Sequence, residues 1–139
     1  MATLIEELAS VLRRVKSRHV SVRNDENAML VTLSTMENRS QSVKISYFPG
    51  GEDSPPVLQI QSRVCVANGP EIVRRCLQAN AKPRIGGFAL ESSTDPPVID
   101  IVHNLLADEV DFAEFAMTIQ EIALFADSVE MRLTGQDEF

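Results

Sequence analysis

At 139 residues, with 44% hydrophobic and 24% charged residues, the chain has the composition of one soluble globular domain spanning residues 1–139, large enough to bury about two-thirds of its unfolded surface without disulfides or metal. No apolar run approaches the ~20 residues of a membrane span, and residues 1–15 alternate apolar and charged side chains with no continuous signal-peptide core, which excludes a membrane protein and sets the expected compartment as the cytoplasm. The net charge of −7 is the sum of −8 in residues 107–139, where nine acids meet one base, Arg132, and +1 before them, from eleven acids and twelve bases; a surface as acidic as that of residues 107–139 repels phosphate backbones, excluding nucleic acid as a direct partner.

Thr3 and Glu6 have capping-box spacing. Leu4, Ile5, Leu8, Val11, Leu12 and Val15 then recur with helical period, predicting a first amphipathic helix of about four turns. The basic residues Arg13, Arg14, Lys16 and Arg18 suit its C-terminal end. Val20 and Val22 allow a short extended piece before the turn-forming Asn24-Asp25-Glu26-Asn27. Residues 28–34 are rich in β-formers, and residues 41–48 place Val43, Ile45 and Tyr47 on one face with Ser42, Lys44 and Ser46 on the other. These two strands meet around Met36-Glu37-Asn38-Arg39.

Residues 49–56 combine three prolines and two glycines and cannot continue a strand. A third strand is expected over residues 57–67, with Leu58, Ile60, Ser62, Val64 and Val66 alternating against Gln59, Gln61, Arg63 and Cys65. Gly69-Pro70-Glu71 starts a short helix to about Ala79, since proline suits the first helical position. Its apolar set, Ile72, Val73, Cys76 and Leu77, covers one side. Residues 84–91 read as a fourth strand, with a bulge or close packing at Gly86-Gly87. After a turn at Thr94-Asp95-Pro96-Pro97, residues 98–105 form a mostly apolar strand that belongs in the sheet interior.

Residues 110–133 contain no glycine or proline and carry the longest periodic run of the chain. Phe112, Phe115, Ile119, Ile122, Ala126, Val129 and Leu133 form the core stripe of a long helix. Asp108 or Asp111 can cap it. At steps of seven, Val110, Met117, Leu124 and Met131 fall on roughly the opposite side, where a solvated helix should be polar. A loop or another helix of the chain can cover this second stripe. Alternatively it is a dimer or partner interface, to which methionine is well suited because it adapts to varied surfaces. The tail beyond Leu133 holds a C-cap glycine and is expected to fray.

The order helix, three strands, helix, two strands, helix is that of an α+β fold: an antiparallel sheet of about five strands in the order α-β-β-β-α-β-β-α, covered by the first and last helices. Chemistry is sparse. His19 and His103 have no metal-ligand neighbour at helical spacing, and phosphate-binding and nucleophile-elbow motifs are absent. No metal, cofactor or catalytic residue is expected. Cys65 and Cys76 read as buried reduced thiols, His103 as a hydrogen-bonded structural residue, and the acids of the last helix as a solvated face. Asp100 stands inside an apolar strand and is assigned no role. A catalytic constellation would have to bring Asp100, His103 and Arg84 together.

This arrangement resembles the fold of type III secretion chaperones and of the related YbjN-type family of bacterial sensory-transduction regulators. The likeness is strongest in the second half: the helix from Pro70 to Ala79 with Asn80, then Gly87-Phe88-Ala89-Leu90, the strand of residues 98–105, and the helix carrying Phe112, Phe115, Ile119 and Ile122 to Ala126-Asp127. The resemblance implies a non-enzymatic, protein-binding homodimer that holds a client segment in apolar grooves and along a strand edge. The alternative it implies is a regulatory domain that senses a small ligand between sheet and long helix.

Overall fold

The computed structural model describes residues 3–14, 21–24, 27–36, 38–82 and 85–134. Its elements in chain order are α1 (Leu4–Arg14), β1 (Ser21–Asn24), β2 (Ala28–Met36), β3 (Arg39–Phe48), β4 (Val57–Val66), α2 (Pro70–Ala79), β5 (Gly87–Glu91), β6 (Val98–Leu106) and α3 (Phe112–Thr134), the last preceded by a single 3-10 turn, Ala107–Glu109. The α-β-β-β-α-β-β-α order is present, and the short β1 adds an edge strand. The sheet runs β1-β2-β3-β4-β6-β5, and every neighbouring pair is antiparallel.

The capping box at the start of α1 is closed in both directions. The Glu6 N–H donates to Thr3 Oγ1 at 3.1 Å, and the Thr3 N–H donates to Glu6 Oε2 at 3.0 Å. The helix is 11 residues long, about three turns; Val15, Lys16 and Arg18 lie outside the described residues, as does the tail from 135 to 139. In the hairpin between β2 and β3, Met36 pairs with Arg39. Asn38 there has φ 62°, a left-handed conformation that asparagine tolerates better than most residues. Gly50 opens the next connection at φ +33°, and a Cβ on it would collide with the Ser54 carbonyl oxygen.

One face of the sheet is covered. Met29 and Val31 of β2, Val43 and Ile45 of β3, Leu58 and Ile60 of β4, and Ile99 and Ile101 of β6 all point into it and are buried. Phe115, Ile119, Ile122, Ala126 and Val129 of α3 close over them, and Ile5, Leu8, Ala9 and Leu12 of α1 join the same apolar cluster. The expected core stripe of the long helix therefore does cover the sheet.

Three local expectations change. The alternation in β4 breaks at a bulge between Arg63 and Cys65, so Val64 and Cys65 are both buried; the extra residue re-aims the strand end. Leu77 of α2 does not join the core but is 64% exposed, leaving Cys76 as the buried residue of that helix. The fourth expected strand starts at Gly87, not at residue 84. Gly86 precedes it at φ +80°, and a Cβ there would stand 3.0 Å from both Ile122 Cδ1 and the Val102 carbonyl oxygen, so α3 and β6 hold the chain out of strand geometry at a point only glycine fits. Arg84 lies outside the described residues.

Phe115 is fully buried under α3 while Met117, two residues on, faces outward. Phe115→Ala is expected to cost about 3–5 kcal/mol of unfolding free energy, and Met117→Ala, in the monomeric chain at high dilution, to stay within about 0.5 kcal/mol. Urea unfolding of the two variants at unchanged m-value measures the difference.

Candidate functional site

The exposed side of α3 is set by its start. Asp111 caps the helix: its Oδ1 accepts from the N–H of Ala113 at 2.8 Å and of Glu114 at 3.2 Å, satisfying two of the donors that a helix N-terminus leaves open. Asp108, the other candidate cap, sits in the 3-10 turn instead. Val110 therefore precedes the helix and packs, half-buried, against the core. Of the four stripe residues, Met117 is 63% and Leu124 38% exposed, and Met131 is half-buried. Around the two exposed side chains Glu114, Gln120, Glu121 and Ser128 are also exposed, giving a short apolar patch with a polar rim.

Not all acids of α3 are solvated. Asp127 and Glu130 are buried, which corrects the expectation of a uniformly hydrated acidic face. Asp127 adjoins Ala126 and follows Ala123 by four, so the covered arc of this helix is wide enough to take it in. Its carboxylate is paired: Arg39 Nη2 donates to Oδ2 at 2.6 Å and Arg39 Nε to Oδ1 at 3.3 Å. Nearby strand positions of the covered face are polar as well. Gln41 Nε2 donates to Ser62 Oγ at 2.9 Å and to the Arg63 carbonyl at 2.7 Å, and Ser62 Oγ donates to the Ser42 carbonyl at 2.7 Å. Gln41 shares strand parity with Val43 and Ile45, which was the available sign that it would be buried.

Asp100 and His103 do not come together. In β6 they have opposite parity: His103 stands opposite Ile60 on the helix-covered face, Asp100 opposite Arg63 on the other. His103 is half-buried and its ring takes part in no hydrogen bond among the described residues, against the expectation of a hydrogen-bonded histidine. Asp100 is buried beside Gln61, whose Nε2 donates to Oδ2 at 3.3 Å, and Arg63, whose Nε lies 3.6 Å from Oδ1. Burial pushes the Asp100 carboxyl above its ordinary value; Arg63 opposes the shift, and the negative charge of Glu91 adds to it. Glu91 itself is held below the usual carboxylate range by hydrogen bonds from the Ser93 side chain and backbone.

A second apolar surface lies at the far edge of the sheet. Pro70, Val73 and Leu77 of α2 face Leu90 of β5 and Pro97 across a groove of about 510 Å³. The edge of β5 is partly closed: Asn80 Oδ1 accepts from the Phe88 N–H at 2.7 Å and Asn80 Nδ2 donates to the Phe88 carbonyl at 3.0 Å. One side chain thus occupies both outward peptide groups that an added strand would use at that residue. Among the described residues no group of three or more His, Cys, Asp or Glu side chains is placed to hold a metal ion, and no helix is long and apolar enough to cross a membrane. Neither a protein-family model nor a curated protein matches the chain.

Asp127→Ala leaves the Arg39 guanidinium, 21% exposed, without its carboxylate; the expected loss is about 2–3 kcal/mol in chemical unfolding, short of the cost for a fully buried pair. Asp100 acts in the opposite sense. Because its folded pKa lies above the unfolded one, the native state binds the proton more tightly, so its contribution to stability is present at low pH and is lost as pH rises through the folded value. Asp100→Asn is expected to be at least as stable as the wild type at pH 7 and to lose that fall between acid and neutral pH in thermal unfolding.

Proposed function

We propose that this chain is a non-enzymatic protein-binding domain of the cytoplasm, secretion-chaperone-like, that forms a homodimer and holds a segment of a client or partner protein. The observation that carries this reading is the exposure of Met117 and Leu124 on the outer side of the helix whose inner side builds the core. Leaving core-type residues at solvent contact has no folding benefit, and a rimmed apolar patch is the usual form of a contact surface. The separation of Asp100 from His103 on opposite sheet faces supports a non-enzymatic role by removing the one constellation that the sequence offered.

Two side chains do not make a stable interface, which needs about 800 Å² from each partner. In a twofold dimer α3 would lie against its own copy, so the rim takes part and Glu114 and Glu121 of both subunits gather at the seam. Association then tightens with added salt, because screening weakens their repulsion. The apolar groove beside Leu77 and Leu90 is a second place for client side chains. Backbone addition at Phe88 is opposed by Asn80, so the client is held there by side-chain contact rather than by extension of the sheet.

Light scattering from micromolar to submillimolar protein tests the proposal. The wild type is expected to be a dimer, tighter at higher salt, and Met117→Glu with Leu124→Glu a monomer of unchanged circular dichroism. A wild type that stays monomeric throughout, or a double variant that still dimerises, overturns the assignment of this stripe.

A further inference from the structure

Between α2, β5 and the C-terminal half of α3 lies a cavity of about 470 Å³, within the range of small-molecule sites. Its wall is apolar. Phe88 and Phe125 stand with ring centroids 6.0 Å apart at a 45° tilt, an aromatic pair, and Cys76, Ala79, Val129 and Leu133 complete the apolar part of the lining. Three cations line the same space: Arg75 from α2, Lys82 just past its end, and Arg132 from α3. The described lining contains no acid, and none of the three cations is in an ion pair with a described residue. Three bases and no acid among the described residues lining one cavity is an uneven placement of charge in a chain of net charge −7. It is most pronounced at Arg132, the single base of residues 107–139.

Lys82 and Arg132 each also suit the negative end of the helix they follow or close. That accounts for their sign but not for their convergence, with Arg75, on an aromatic-walled cavity. We infer that this cavity binds a small organic anion: an apolar body of one or two rings against Phe88 and Phe125, with a carboxylate, sulfonate or phosphate group held by Arg75, Lys82 and Arg132. Guanidinium groups favour such heads because their forked donors match paired oxygens. The site is separate from the Met117 and Leu124 patch and does not rest on the dimer reading.

The test uses two fluorescent probes that share a naphthyl-phenylamine body. One, 8-anilinonaphthalene-1-sulfonate, carries the anionic group; the other, N-phenyl-1-naphthylamine, does not. The full chain is expected to bind the sulfonate saturably at one site, more weakly as salt rises. Arg75→Gln with Arg132→Gln, both at exposed positions, should weaken sulfonate binding by about tenfold or more, since charge-assisted bonds are lost, and leave the neutral probe within about twofold. Leu77→Glu, and separately Met117→Glu with Leu124→Glu, should change neither. Sulfonate binding that is absent, that survives the arginine substitutions, or that is lost on altering Leu77 or the α3 patch would overturn the inference.

Discussion

The rest of the structure depends on one constraint: a six-stranded antiparallel sheet has an apolar face that must be covered, and in this chain helices cover it. A helix of 23 residues is about 35 Å long, whereas six strands spaced about 4.8 Å apart are only some 24 Å wide. One helix can therefore cross the whole sheet. It cannot cover it, because a helix with side chains is only about 10 Å thick and a strand of ten residues, such as β3 or β4, runs to about 33 Å. The remaining area falls to α1, which closes over the β1 side of the cluster, and to α2, which sits beside β5. This division explains why α3 carries the largest share of the buried core.

The same constraint brings polar groups under cover. A helix crossing a wide sheet buries more than its narrow apolar stripe, and Asp127 and Glu130 are taken in with it. Under that part of the helix the covered face of the sheet is itself polar, at Gln41 and Ser62. Arg39 reaches from the start of β3 to the Asp127 carboxylate, so the hairpin end is tied to the last turns of the helix across 88 residues of sequence. A polar contact of this kind contributes less to net stability than an apolar one of equal size, because both charges must first be taken out of water.

What α3 leaves uncovered is where binding is proposed. Its outer side presents Met117 and Leu124, and its C-terminal half, with Phe125, Val129 and Arg132, forms one wall of the cavity against α2 and β5. Both surfaces belong to the element with the deepest roots in the core. A rigid support of this sort suits recognition, because residues held by packing lose little further freedom on binding. The edge of the sheet is treated differently: Asn80 satisfies both outward groups of Phe88, which protects an otherwise open strand from uncontrolled pairing.

Much of this was legible in the residues themselves. The capping box of Thr3 and Glu6, proline at the first position of α2, the alternation of Val43, Ile45 and Tyr47 and the periodic run from Phe112 to Leu133 each encode local geometry, because caps, fixed φ and side-chain period act over a few residues. Contacts between distant residues leave no such mark. The bulge that buries Cys65, the exposure of Leu77, the glycine-only approach at Gly86 and the turning of Asp100 and His103 to opposite faces all depend on what packs against them from elsewhere in the chain. So does the meeting of Arg75, Lys82 and Arg132 around Phe88 and Phe125. By itself the sequence determined the kind, order and inward face of most elements, through interactions between near neighbours. Only the tertiary structure decided which charges are buried and which residues share a cavity, since those follow from the fit of whole surfaces separated by tens of residues.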